Sequence, residues 1–323
     1  MGLVTAAQLA EIGVPTSTVS RRCAGGMWTR VLPGVHLVDG GRPTRLQRLL
    51  AALLYAGPDS MLTGTSGLRL YGCRALRLQE IGDDESERPE PVHVLVPHDR
   101  RRLSTGYVRI ERTHRLPTPE RRQSLAVAPL VRAVADAARR FPRESDAMAV
   151  VAEVVQRGWV DVDDLRAELN EGPTRGSRYL RSAVAWVGRG AQSVPEADLA
   201  RLLDAAGVPG VVLNATLVSD TGAFVAVADA WLDDVGLAIE VDSVEFHSTG
   251  EDFRRTVRRN ARYAAAGVPV MTVLPSDVRD RPHSVVHEVL LDREIASQRP
   301  RAQVHVADSR TRSAGRLDWP WGA

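Results

Sequence analysis

The spacing of apolar and polar positions changes three times along the chain. It opens at helical spacing. Thr5 precedes Ala6-Ala7-Gln8-Leu9-Ala10-Glu11-Ile12, and Gly13 stops the run. Pro15, Thr16 and Ser17 start a second short helix, with Val19 inward and Thr18, Arg21 and Arg22 outward. After Gly25-Gly26, residues Trp28 to Val38 read as two short strands turning at Pro33-Gly34.

Helix, turn, helix and β wing is the plan of a winged helix-turn-helix over residues 1–40. Residues 41–188 then mix both periods. Leu46, Leu49, Leu50 and Leu53 line a helix from about Arg42 to Leu54, and Leu62 to Gly72 begins a shorter one. Val92–Val96 and Val108–Ile110 read as strands, with Arg100-Arg101-Arg102 between them. The polar stretch 82–91 reads as an exposed loop. Four helices follow, Pro129–Arg140, Ser145–Gln156, Val162–Leu169 behind an Asp161 N-cap, and Arg175–Trp186. This is an α+β middle domain with a helical connector.

Gly188-Arg189-Gly190-Ala191-Gln192-Ser193 reads as a hinge into a last domain, 189–323. That domain runs helix Pro195–Ala206, strands Val211–Leu217, Phe224–Leu232 and Leu237–Val241, an arginine-rich helix from about Asp252 to Ala266, strand Val270–Leu274, helix Val285–Ile295 and a loose tail. The whole is an α/β multidomain protein, as 323 residues lead one to expect.

Composition narrows the chemistry. All 42 basic residues are arginine, so Schiff-base, P-loop and other lysine chemistry is excluded. A net charge of +2 means that any nucleic-acid-binding surface is local. Cys23 and Cys73 lie in no metal-binding spacing, which suits a reducing cytoplasm. The N-terminus lacks the signature of a signal peptide, and no apolar run is long enough to span a membrane.

The sharpest feature is acidic. Glu240 and Asp242 are two apart on one strand and therefore share a face. Asp229 lies eleven positions before Glu240, room for a hairpin through Asp233-Asp234 that would gather three carboxylates. Crowded carboxylates stay ionised only beside a cation, and oxygen ligands suit Mg2+ or Mn2+. Acidic residues at strand ends also cap turns or pair with arginine. Here the flanking runs Leu237-Ala238-Ile239 and Phe224 to Ala228 mark buried strands, where a carboxylate needs a reason. Arg254, Arg255, Arg258 and Arg259, at helical spacing, could grip phosphate or form a solvated face.

Residues 193–278 resemble the very-short-patch-repair (Vsr) endonuclease-like branch of the PD-(D/E)XK nuclease superfamily. The likeness rests on Ser193-Val194-Pro195-Glu196, Val227-Ala228-Asp229, Ile239-Glu240-Val241-Asp242, Phe246-His247-Ser248, Phe253, Arg259 and Ala264-Ala265-Ala266-Gly267. It implies a four-stranded restriction-endonuclease-like mixed sheet flanked by helices, and metal-dependent phosphodiester cleavage. On that match Asp229 and Glu240 are the metal ligands. Asp242 stands where the wider superfamily has lysine. Glu196 matches the acidic residue of the first helix, and His247 the histidine after the acidic motif. Ser243 replaces the usual glycine and Thr256 the usual aspartate.

The first forty residues resemble the winged helix of AbiEi-type antitoxins from type IV toxin–antitoxin systems. That likeness rests on Thr5 to Leu9, Ser20-Arg21-Arg22, Gly26 to Val31 and Pro33 to His36, and continues at Leu62 to Leu68 and Val92 to Pro97. It implies double-stranded DNA as partner, with Thr16, Thr18, Arg21 and Arg22 in the major groove and Arg30 on the wing. A cognate toxin is the other implied partner. The leading expectation is a DNA-binding protein with a metal-dependent endonuclease-like domain, in phage defence or repair. Two other classes stay open, a non-catalytic regulator with an inert nuclease fold, and an antitoxin that masks its toxin.

Overall fold

The computed structural model describes residues 2–76, 90–242 and 250–307, with side chains of the last segment from Arg254 onward. Among these residues it is an α/β protein with twelve helices and three sheets. The expected loop at 82–91 falls almost wholly outside the described residues, and so does His247. The chain forms two compact units, 1–184 and 185–323.

The first unit opens with strand β1 (Leu3–Thr5) and helix α1 (Ala6–Glu11). Thr5 and Gln8 close a reciprocal capping box, which fixes where α1 begins. Helix α2 (Thr16–Ala24) begins behind Pro15 without a side-chain cap. Strands β2 (Thr29–Leu32) and β3 (Val35–Leu37) form the expected hairpin. β1 adds a third antiparallel strand, giving the order β1-β3-β2. Three residues are too few to show a period, so β1 was illegible.

Leu9, Val19 and Trp28 form a small core under α1 and α2. Leu32 and Val35 do not join it. They pack with Leu49, Tyr55, Val94 and Val108 in the main core of the unit. The strands of the first segment thus share a core with the region that follows residue 40.

That region contains helices α3 (Arg45–Ala56) and α4 (Gly64–Tyr71) and a mixed five-stranded sheet. Its strands are β4 (Met61–Leu62), β5 (Val92–Pro97), β6 (Val108–Thr113), β7 (Glu120–Arg122) and β8 (Leu125–Val127), in the order β6-β5-β4-β8-β7. β5 pairs parallel with β6, and β4 with β8. Leu62, expected to begin a helix, belongs to β4.

Helices α5 (Leu130–Ala138), α6 (Glu144–Gln156), α7 (Val162–Glu171) and α8 (Arg178–Gly188) follow. Asp161 occupies the N-cap of α7, but its side chain makes no capping bond. Asp136 is fully buried in α5. It accepts from Thr63 at 2.6 Å, Arg132 at 2.9 Å and Arg139 at 2.8 Å, which joins the start of α4 to α5.

The second unit holds α9 (Val194–Ala205), β9 (Val211–Ser219), β10 (Phe224–Leu232), β11 (Leu237–Val241), α10 (Gly250–Ala265), β12 (Val270–Val273), α11 (Pro275–Asp280), α12 (Pro282–Ser297) and β13 (Val304–Val306). The sheet has five strands in the order β12-β11-β10-β9-β13, not the expected four. β11 and β12 are parallel and linked by α10. β13 comes from the segment read as a loose tail and pairs with β9. The segment read as a hinge is packed into this unit. Ala191 is buried, and Arg189 makes a bidentate pair with Asp204.

Buried His93 on β5 supplies a pH test. Burial, then Arg140, lowers its pKa from 6.5 to about 4. The fold therefore holds a neutral imidazole, while the unfolded chain takes up a proton as pH falls through 6.5. Stability should drop between about pH 6.5 and 4 and level off below. At ~1.4 kcal/mol per pKa unit this one group contributes about 3 kcal/mol. In denaturant unfolding of the full chain, the pH profile of His93→Gln should be flatter than the parent's by that order. Parallel profiles would refute it.

Candidate functional site

The hairpin of β10 and β11 builds the site. Ala230 faces Ile239, Trp231 faces Ala238 and Leu232 faces Leu237. One more step in that register sets Asp229 opposite Glu240. The turn is fixed by Trp231, fully buried, whose indole N–H donates to Asp233 at 2.9 Å. Beyond the last ladder pair, the backbone N–H of Val241 donates to Asp229 Oδ2 at 2.8 Å. A side chain thus takes over where the strand pairing ends.

Glu240 is 1% exposed. Tyr263 of α10 donates its hydroxyl to Glu240 Oε1 at 2.6 Å, and Arg259 places Nη1 2.6 Å from Oε2. The second contact is close but off-line. Among the described residues, neither Glu240 Oε2 nor Arg259 Nε has an aligned hydrogen-bond partner. Burial pushes the Glu240 carboxyl up to about 7, and nearby Asp229 adds to the rise while Arg259 opposes it. Burial likewise lifts Asp229 to about 6, against the Val241 hydrogen bond and with repulsion from Glu196 and Asp242. Burial and Glu240 together push the Tyr263 phenol up, so it remains a donor.

Glu196 sits in the first turn of α9. It accepts from Ser193 Oγ at 2.8 Å, the Gln192 N–H at 2.7 Å and Asn214 Nδ2 at 2.5 Å. Its carboxylate is therefore committed to closing the helix start, and it acts on Asp229 through its charge. Asp242 is half-buried and acts on both Asp229 and Glu240 in the same way. Arg255 and Arg258 lie on the exposed side of α10. Arg259 does not join them, because its guanidinium is turned onto Glu240.

In the first unit Thr16, Arg21, Arg22 and Arg30 are exposed and Thr18 is half-buried. Arg22 lies over the Trp28 ring at 4.8 Å. Trp28 is itself a core residue, so its face is not offered to a base.

Sequence reasoning missed Tyr263 and Asn214. Tyr263 follows Arg259 by four, one helical turn on the same face, which was a readable signal. Asn214 interrupts the apolar strand Val211-Val212-Leu213 and stands between residues paired with Ala228 and Ala230, opposite Asp229. Its φ is +46°, a left-handed conformation rare inside a strand. Its amide donates to both Glu196 and the Gly190 carbonyl. Gly190 approaches the strand closely. At φ +108°, an added Cβ would lie 3.0 Å from the Leu213 carbonyl.

The donor chemistry suits a hard divalent cation, since every candidate ligand is oxygen and Glu240 Oε2 is buried without an aligned donor. Among the described residues, no three His, Cys, Asp or Glu side chains group to hold a metal ion. Two carboxylates are a sufficient protein contribution for Mg2+, which keeps several waters and takes phosphate oxygens as further ligands.

No family model matches the chain, and no curated protein matches it in sequence. Among solved structures, the RV2827C protein from Mycobacterium tuberculosis is similar at 16% identity and a TM-score of 0.38, over 57% of this chain and 72% of its own. A likeness that slight carries no argument about fold or activity.

The Tyr263 hydroxyl can be tested alone. Tyr263→Phe keeps the packing and strips a buried carboxyl of its donor. It should cost about 1–3 kcal/mol in denaturant unfolding. A neutral substitution would show that Glu240 does not depend on it.

Proposed function

We propose that the second unit is a restriction-endonuclease-like domain of the Vsr-like type that cleaves DNA phosphodiester bonds with Mg2+ or Mn2+. Residues 1–40 serve as a winged helix-turn-helix that delivers it to double-stranded DNA, in phage defence or repair. One observation carries the reading. Glu240 is a buried carboxylate with an unmatched oxygen, in register with Asp229, on a hairpin whose charges repel one another. An arrangement so costly by itself is repaid by a cation.

Asp229 and Glu240 would hold the metal. When bound, it supplies an activated water and steadies charge on the phosphate. The chain's own residues set the geometry. Val241 N–H orients Asp229, and the Tyr263 hydroxyl orients Glu240. Arg255 and Arg258, exposed one turn from the site, would hold phosphate oxygens. Exposed Arg21 and Arg22 on α2 and Arg30 on β2 would meet DNA at the other unit.

A second reading has an observation of its own. Arg259 already neutralises Glu240 from within the chain. An inert nuclease fold in a DNA-binding regulator or type IV antitoxin would need no more.

Cleavage of duplex DNA separates the two. The first reading expects cutting in Mg2+ or Mn2+ that falls at least ~100-fold in Asp229→Ala and in Glu240→Ala. DNA binding without cutting in either metal selects the second. Both readings expect Arg21→Ala with Arg22→Ala to weaken DNA binding. The slope of log affinity against log salt should then fall by about 1.8, the loss of two phosphate contacts. An unchanged slope would remove α2 from the interface.

A further inference from the structure

We infer that Arg259 is the resident counter-cation of the carboxylate pocket, held on Glu240 until a divalent cation loads and then released to the substrate's phosphate. The inference rests on the metal-dependent reading and adds the step by which the site is armed.

The contact itself is the first ground. Two other carboxylates among the described residues are held by directed bonds. Asp136 receives directed hydrogen bonds from Arg132 and Arg139, and Asp204 receives two from Arg189. Arg259 approaches Glu240 as closely, yet leaves Oε2 and its own Nε without aligned partners among the described residues. Charge holds this pair more than geometry does. Such a pair loses fewer directed bonds when it parts.

The surroundings are the second ground. Glu240 is fixed by Tyr263 and its strand, with a side chain 2% exposed. The Arg259 side chain is 28% exposed and has a path to solvent. Of the two partners, only the arginine can leave. Arg255 lies one turn before it on the same face, and Arg262, one turn after, is anchored to the Val225 carbonyl at 2.6 Å. A released guanidinium therefore stays on a helix face that already carries Arg255. Arginine suits both positions, since it cannot lose its proton and matches carboxylate and phosphate alike.

Metal loading and phosphate binding are then linked. Each favours the state in which Arg259 has left Glu240, so each must strengthen the other by the same factor.

Titration calorimetry with Mn2+ on the full chain tests this without an activity assay. Arg259→Gln removes the charge and keeps a donor for Glu240, and Arg259→Ala is run beside it in case the glutamine mimics the pair. We expect Arg259→Gln to bind Mn2+ about tenfold or more tighter than the parent. Adding Glu240→Gln to it should abolish that gain. A short DNA duplex should tighten Mn2+ binding in the parent, and much less in Arg259→Gln. Equal or weaker Mn2+ binding in both arginine variants overturns the inference and leaves the metal reading intact. A gain that survives Glu240→Gln lies elsewhere and also overturns it. Absence of Mn2+ binding in parent and variants overturns the metal reading together with this one.

Discussion

A carboxylate leaves water only against a penalty of several kcal/mol, and Glu240 has left it. Among the described residues, what compensates lies on α10, the Tyr263 hydroxyl and the Arg259 guanidinium. The rest of the second unit depends on that bargain. α10 is the crossover between the parallel strands β11 and β12, and a crossover helix must pack on its sheet. Its sequence is poor in apolar residues for the task. Among its described residues, Val257 is exposed, and Tyr263 is the large side chain it buries. Polar anchors therefore set its position, with Arg262 on the Val225 carbonyl, Arg259 on Glu240 and Tyr263 reaching the same carboxyl. The residue that makes the pocket chemically unusual also registers the helix on the sheet.

The first unit is held by a different device. Its opening strands give Leu32 and Val35 to the core built by α3 and the five-stranded sheet. Hence α1 and α2, with their own small core around Trp28, stand on a base continuous with that sheet. Any surface carried by α2 is presented from a rigid support rather than from a module on a tether. For the proposed DNA contact this matters, because a preorganised reader avoids part of the ordering cost of binding.

Much of this was legible, and the failures have physical reasons. Long amphipathic helices and the strands β10 and β11 announce themselves by period, and the hairpin that joins Asp229 to Glu240 follows from the eleven-residue spacing. The short strands β1, β4, β7, β8 and β13 carry no period of their own and are defined by the strands they pair with. The core shared across residue 40 was not legible, because a loop with turn residues looks the same whether or not a core continues across it. The helical spacing of Arg259 was read as a phosphate contact or part of a solvated face. Spacing gives the face of a helix but not the partner waiting on the sheet. Asn214 was passed over because its role lies in a backbone angle, which sequence shows only as a polar residue in an apolar strand.

The absence of lysine bears on how the proposed chemistry would be shared out. If the proposed nuclease reading holds, Asp242 would stand where the wider nuclease superfamily has a lysine, an amine that can hold or give a proton. Among the described residues, the basic side chain paired with Glu240 is the guanidinium of Arg259, which stays charged throughout the working range. It can balance charge and hold phosphate, but it cannot exchange protons. Asp229 and Glu240 differ in this respect. Burial lifts them to about 6 and 7, so they change charge close to neutrality. A metal would return both to the ionised form, and Arg259 does so in part. On the proposed reading, control of this pocket would reduce to which cation occupies it, a question of charge balance between a divalent ion and the Arg259 guanidinium already on Glu240.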